Sequence, residues 1–357
     1  MAVNGRRKTM KILMVGPLPP PMGGIAVSFK VLVGLLQGRD DVTLEVVDFS
    51  AIRQRHGNAL RGLLRLCRAI IPKAKEADVV TAYFASTALP SLGVLLLLIC
   101  RILGKPLVLR KAANFDYRDL GSFKGRIAHV VVKRAQLYLA ETKMLVGLAR
   151  ERGIAHVMWY PTNRPMSDAE ESAALDIVSC RRFVFVGQVR EYKGIREIIQ
   201  AAERFGEGVR VDVYGPMVND LDQSIFNGCK RVKYCGILAP EDVIPTLKNY
   251  DLLLLPTKAV TEGYPGAVFE GYAAGLPIIT TRCGGIPEIV DESSGVFVEP
   301  GNTDALFDAM KTVVEDNDRY RRLREGVRVK RKEFDSATWA DRFVEYCRHA
   351  MSAEGWK

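Results

Sequence analysis

Residues 261–277 read T-E-G-Y-P-G-A-V-F-E-G-Y-A-A-G-L-P, and their punctuation describes a loop feeding a short helix. Pro265 suits the first helical position, where the missing N–H costs nothing and φ is already set. Gly275 falls where a left-handed residue closes a helix, and Pro277 blocks continuation. The spacing therefore predicts a helix from about Pro265 to Ala274. The amides of its first turn lack intrahelical acceptors and favour an anion on the loop side. Glu270 stands five residues in, roughly 7.5 Å along the axis. A carboxylate so placed reaches the two hydroxyls of a ribose when a diphosphate sits at the helix start. Glu262, on the loop side, faces whatever hangs from the diphosphate's other end.

Outward from this stretch, short apolar runs bounded by turn residues alternate with helical patterns. In the first half they are 12–15, 42–49, 78–84, 107–110, 136–141 and 157–160; in the second, 183–186, 209–214, 232–235, 252–255, 278–281 and 296–299. Strands apolar on both faces and alternating with helices mean parallel sheets covered on both sides. Two such series predict an α/β chain of two doubly wound domains. Y-P-T-N-R-P at 160–165 closes the first series, and the polar run from 167 leads into the second. Ligands in open parallel sheets bind beyond the carboxyl ends of the strands.

The E-x7-E pattern, followed by A-x-G-x-P, resembles the signature of the retaining GT-B glycosyltransferases of group 1 (family 4). Further pieces occur in the family's order: P-L-P-P-P-M-G-G-I at 17–25, F-V-G-Q-V-R-E-Y-K-G-I at 185–195, V-K-Y-C-G-I-L at 232–238 and D-L-L-L-L-P-T at 251–257. The resemblance implies two Rossmann-like domains facing across a cleft. Residues 1–165 would form the acceptor side and 166–334 the nucleotide-sugar side, with 335–357 crossing back to the first domain. It implies a UDP- or GDP-sugar donor and a glycan or lipid-linked acceptor, in surface polysaccharide or lipid-linked glycan synthesis. Lys193 resembles the lysine that contacts the donor diphosphate. The family's arginine directly after the strand glycine Gly187 is Gln188 here, with Arg190 two residues later as a substitute. Glu262 resembles the glutamate near the donor sugar, and Glu270 the ribose-binding glutamate. Gly263, Tyr264, Pro265, Gly266 and Ala267 would cradle the diphosphate, Gly236, Ile237 and Leu238 would hold the base, and Gly23 and Gly24 would permit close approach of phosphate or sugar. Relatives place a histidine after the strand 107–110; the loop 110–116 has none, leaving Lys111, Asn114 and Asp116 as its polar groups.

Composition narrows the alternatives. The chain of 357 residues is 48% apolar and carries a net charge of +10, enough for two buried cores. Residues 1–160 hold 25 Lys and Arg against 10 Asp and Glu, whereas 161–357 hold 26 against 31. The basic half includes Arg53, Arg55, Arg61, Arg65, Arg68, Lys73 and Lys75, then Arg118, Lys124, Arg126, Lys133 and Arg134. Without a nucleic-acid motif, this points to an anionic membrane surface and a pyrophosphate-linked acceptor. Seven scattered cysteines without C-x-x-C fit reduced thiols in a cytoplasm. The apolar run 92–100 is too short to span a bilayer and reads as a buried helix. No metal or other cofactor is expected: Asp220 and Asp222 form a lone D-x-D, and His56, His129 and His156 belong to no metal-binding pattern. No G-x-G-x-x-G with an acidic residue ~20 positions on follows the first strand of either domain, so an ordinary dinucleotide oxidoreductase fits poorly. A sugar-nucleotide epimerase of the same architecture and a non-catalytic sugar-nucleotide-binding subunit are the alternatives.

Overall fold

The computed structural model describes residues 9–19, 24–50, 59–84, 88–111, 121–166, 179–218 and 221–352. The chain divides into two units, Met1–Asn163 with Ser336–Lys357, and Arg164–Asp335.

The first unit carries the strands β1 (Met10–Gly16), β2 (Val42–Asp48), β3 (Val79–Phe84), β4 (Leu107–Lys111), β5 (Leu137–Ala140) and β6 (Val157–Trp159). They form one parallel sheet in the order β2-β1-β3-β4-β5-β6. Every residue of β3 and β5 is buried, because helices cover both faces. Ile70, Leu96 and Val131 from three helices fill one side, while Phe29 and Leu36 from Gly24–Gln37 fill the other. The apolar run near residue 95 is the helix Val94–Leu103, with Leu96, Ile99 and Cys100 in the core and left-handed Gly104 closing it. No helix among the described residues is long and apolar enough to cross a membrane.

The helix Ser336–Ser352 also belongs to this unit, burying Trp339, Phe343, Val344 and Cys347. Each such side chain contributes about 1.5–3 kcal/mol on leaving water. Trp339 packs edge-on against Trp159 and Tyr160, with centroids at 5.1 and 5.5 Å. The rim is charged: Arg348 pairs with Asp41 at 2.6 Å, and Arg39 bridges Asp41 and Asp341. Arg39 first, and then Arg348, hold the Asp41 carboxyl down at about 2 against the opposing effect of partial burial. A carboxyl lowered on folding stabilises above its ordinary value and loses that contribution as pH falls toward the folded one. Asp41→Asn should therefore lower stability at pH 7 by about 0.5–1 kcal/mol. Thermal melts should show its difference from wild type closing as pH falls from about 4 to about 2.

The second unit carries β7 (Arg182–Val186), β8 (Arg210–Tyr214), β9 (Val232–Tyr234), β10 (Leu252–Leu255), β11 (Ile278–Thr281) and β12 (Gly295–Val298). Its parallel order is β12-β11-β10-β7-β8-β9. Counted from its own first strand this is the 3-2-1-4-5-6 order of dinucleotide-binding sheets, whose direction reverses between β7 and β10. The crevice beyond the carboxyl ends of those two strands is where such a sheet receives a ligand. Asp251 anchors the opposite end, accepting from the amides of Arg181 and Arg182 at 2.9 and 2.7 Å and from the Arg182 guanidinium at 2.7 Å.

Candidate functional site

The loops that follow β7 and β10 touch each other at the switch point. Gly194 closes the turn Glu191–Lys193 at φ +80°, and a Cβ there would lie 2.4 Å from the Pro256 carbonyl oxygen. Only a residue without a side chain lets the two backbones approach so closely. The Lys258 amide then donates to the Tyr192 carbonyl at 2.7 Å. The result is an ion pair between residues 69 positions apart: Lys193 Nζ lies 2.6 Å from Glu262 Oε2. Both side chains are largely covered, at 13% and 16% exposure. Thr257 adds a hydroxyl 3.4 Å from the same carboxylate oxygen, and Thr281 ties down the Thr257 carbonyl at 2.6 Å. From the third side Gly284, at φ +55°, lets the loop after β11 lie against the Glu262 backbone, where the Gly285 amide donates to the Glu262 carbonyl at 2.9 Å.

The helix at this edge is Gly266–Ala273. It starts one residue later than predicted, because Pro265 adopts ψ 127° and acts as the N-cap. Ala274 caps its other end and Gly275 turns left-handed at φ +77°. The Val268 amide returns to the Pro265 carbonyl at 3.1 Å. The amides of Gly266 and Ala267 find no acceptor among the described residues and remain for an anion. Pro265 can offer none, and Tyr264 is buried, its hydroxyl donating to Glu288 at 2.6 Å.

Glu270 is not an open carboxylate. Arg164 donates to its Oε1 from Nη2 at 2.9 Å and from Nε at 3.2 Å. Sequence reading misses this arginine, because Y-P-T-N-R-P looks like a linker. Its one signal is a cation held between two prolines.

Three glycines step along the same edge, Gly187 after β7, Gly215 after β8 and Gly236 after β9. The Gly187 amide donates to the Tyr214 carbonyl at 3.0 Å and the Gly215 amide to the Gly236 carbonyl at 2.8 Å. Beside them Ile237 is 69% exposed and Leu238 half-buried, forming an apolar ledge. Gln188 is exposed. The Arg190 guanidinium lies over the Tyr192 ring at 5.7 Å with its Nε buried and unpaired.

Other candidates fall elsewhere. Gly24 opens the helix Gly24–Gln37 with nothing within 4 Å of a would-be Cβ. Asp222 accepts from the Ser224 amide at 2.7 Å and caps a short turn. His156 bonds the Val132 carbonyl at 3.1 Å, and burial lowers the pKa of His129. Gly23, Arg53, Arg55, His56, Asn114, Asp116, Arg118 and Asp220 lie outside the described residues, as does the side chain of Lys111.

Solved structures share this architecture. Anabaena HepE, crystallised with UDP, superposes with a TM-score of 0.74 over 95% of this chain and 100% of its own at 17% identity. The sucrose-phosphate synthase of Thermosynechococcus elongatus gives 0.72 over 97% and 100% at 13% identity. At such identities the likeness is one of fold, and the two doubly wound sheets agree with it: the chain has the GT-B fold. Residues 180–316 match the family of glycosyl transferases group 1. The alpha-maltose-1-phosphate synthase of Mycolicibacterium smegmatis is 26% identical over 204 residues, 53% of this chain and 52% of that protein. The O-antigen chain mannosyltransferase C of Escherichia coli is 25% identical over 166 residues, 46% and 44% of the two. The family match thus covers most of the second unit and none of the first. The matched part spans about half the length, or less, of these curated relatives.

Proposed function

We propose that this protein is a retaining glycosyltransferase that moves a sugar from a UDP- or GDP-linked donor to a glycan acceptor. The observation that carries this reading is the Lys193–Glu262 pair, 2.6 Å apart, at the switch-point edge that also holds the start of the Gly266–Ala273 helix. Negative charge grows on the departing diphosphate during transfer, and fixed donors aimed at it lower the barrier. The amides of Gly266 and Ala267 and the Lys193 ammonium supply those donors without a metal ion. Glu262 fixes Lys193 in place before the donor arrives and itself lies toward the sugar end. Glu270 reads the ribose, and the exposed Ile237 ledge with the Gly236 backbone receives the base.

The first unit supports an anionic, lipid-linked acceptor. Helices Ala59–Glu76, Val94–Leu103 and Phe123–Arg134 cover one face of its sheet. Their outer surfaces expose Leu64 at 48%, Ile102 at 83% and Phe123 at 79% beside exposed Arg61, Arg68 and Arg126. Apolar wedges among cations suit the headgroup region of an acidic bilayer. In this reading the protein works at the cytoplasmic face of the membrane, in surface polysaccharide or lipid-linked glycan synthesis.

Release of free nucleoside diphosphate from the sugar nucleotide, measured with and without a lipid-linked glycan acceptor, tests the activity. Release that requires acceptor is the expected result. Rearrangement of the sugar nucleotide without acceptor would mark an epimerase, and binding without turnover a non-catalytic subunit.

A further inference from the structure

Resting on the reading of Glu270 as the ribose carboxylate, we infer that Arg164 is the positioning residue that fixes this carboxylate for the nucleotide. Both donated bonds, from Nη2 at 2.9 Å and Nε at 3.2 Å, converge on Oε1. No described residue bonds Oε2, which is left to accept from a hydroxyl of the ribose. The arginine side chain is 4% exposed and the glutamate 18%, so the cation lies deeper than the carboxylate it holds. The local sequence makes room for this arrangement: a Cβ at Gly266 would lie 3.1 Å from Arg164 Nη2.

The arginine is itself held from behind. Its amide donates to the Phe334 carbonyl at 3.3 Å, its backbone bridges to Asp335, and the Met166 amide donates to Asp335 Oδ1 at 3.0 Å. Phe334 in turn packs edge-on against Phe269, one residue before Glu270, at 5.1 Å. The two segments that begin and end the second unit thus support the helix at adjacent residues, one through a ring and one through a guanidinium. A planar fork on a single carboxylate oxygen sets the direction of that group. A hydrogen bond aimed in advance costs less ordering when the ligand binds.

The test is the ratio of affinities for a nucleoside diphosphate and its 2′,3′-dideoxy analogue, measured by calorimetry on the full chain. The base is uracil or guanine, whichever binds wild type more tightly. The ratio cancels losses common to both ligands, including partial unfolding and altered charge near the diphosphate. Wild type should prefer the ribose form about ten- to a hundredfold, the range of one charged hydrogen-bond acceptor. Arg164→Met should cut that preference at least about fivefold. Glu270→Gln should cut it similarly, and the double variant no further. Arg164→Lys, which keeps the charge but not the fork, should fall between wild type and Arg164→Met, and carries the test if the methionine variant does not fold. Full preference in the Arg164 variants with its loss in Glu270→Gln would overturn the inference and leave Glu270 in its role. No preference in wild type would overturn the Glu270 reading and this inference with it, and no binding of either ligand would overturn the proposed function.

Discussion

Lys193→Met should lower kcat by about a hundred- to a thousandfold, the usual consequence of losing one preorganised donor to a developing negative charge. The ammonium lies 2.6 Å from Glu262 Oε2 and is 13% exposed, so a water molecule replaces it poorly. Its loss also leaves a carboxylate that is only 16% exposed without its cation, beside the position assigned to the diphosphate. Repulsion between the two adds to the missing attraction. Because leaving-group charge is greatest at the transition state, the fall in kcat should exceed any rise in the KM for donor. Initial rates of nucleoside diphosphate release, followed over donor concentration, provide the measurement. A kcat within about threefold of wild type would exclude Lys193 from the site, since even a single neutral hydrogen bond is worth more in a desolvated setting.

Gly194→Ala should destabilise the second unit by about 2–4 kcal/mol, combining a left-handed backbone with overpacking. The built Cβ meets the Pro256 carbonyl oxygen at 2.4 Å and its ring at 2.8 Å. Relief requires the loops after β7 and β10 to separate, which would also pull Lys193 from Glu262. Gly208 provides the control: its φ is +95°, yet nothing lies within 4 Å of a Cβ there. Gly208→Ala therefore carries backbone strain alone, about 1–2 kcal/mol. Urea denaturation of the two variants should show the larger loss at Gly194, with transferase activity falling only there. Equal losses would mean that the close approach of the two loops is not a constraint on the fold.

Much of the fold is legible in the sequence because parallel strands buried on both faces leave uninterrupted apolar runs. Leu252–Leu255 and Ile278–Thr281 are buried throughout, and both appear as short blocks between turn residues. Each of the twelve predicted strands is present, with ends displaced by at most two residues. Strand order is less visible, since sequence shows alternation but not which strands become neighbours. That order brings Lys193, after β7, to Glu262, after β10. Read separately, the lysine resembles a diphosphate contact and the glutamate a sugar contact; their own contact across 69 residues appears only once β10 pairs with β7. Arg164 is hidden for a related reason. It lies 106 residues from Glu270 in a stretch whose prolines signal a linker, and no local periodicity marks it as a partner. The one-residue shift at Pro265 has a local cause, because proline fixes φ but leaves ψ free to remain extended.

A crystal structure of the protein with its preferred nucleoside diphosphate would show directly where the phosphates bind. The terminal phosphate should lie within hydrogen-bond distance of the Gly266 and Ala267 amides and the Lys193 ammonium, with the ribose hydroxyls on Glu270. Phosphates bound away from the start of the Gly266–Ala273 helix, with Lys193 still closed on Glu262 and distant from the ligand, would contradict it.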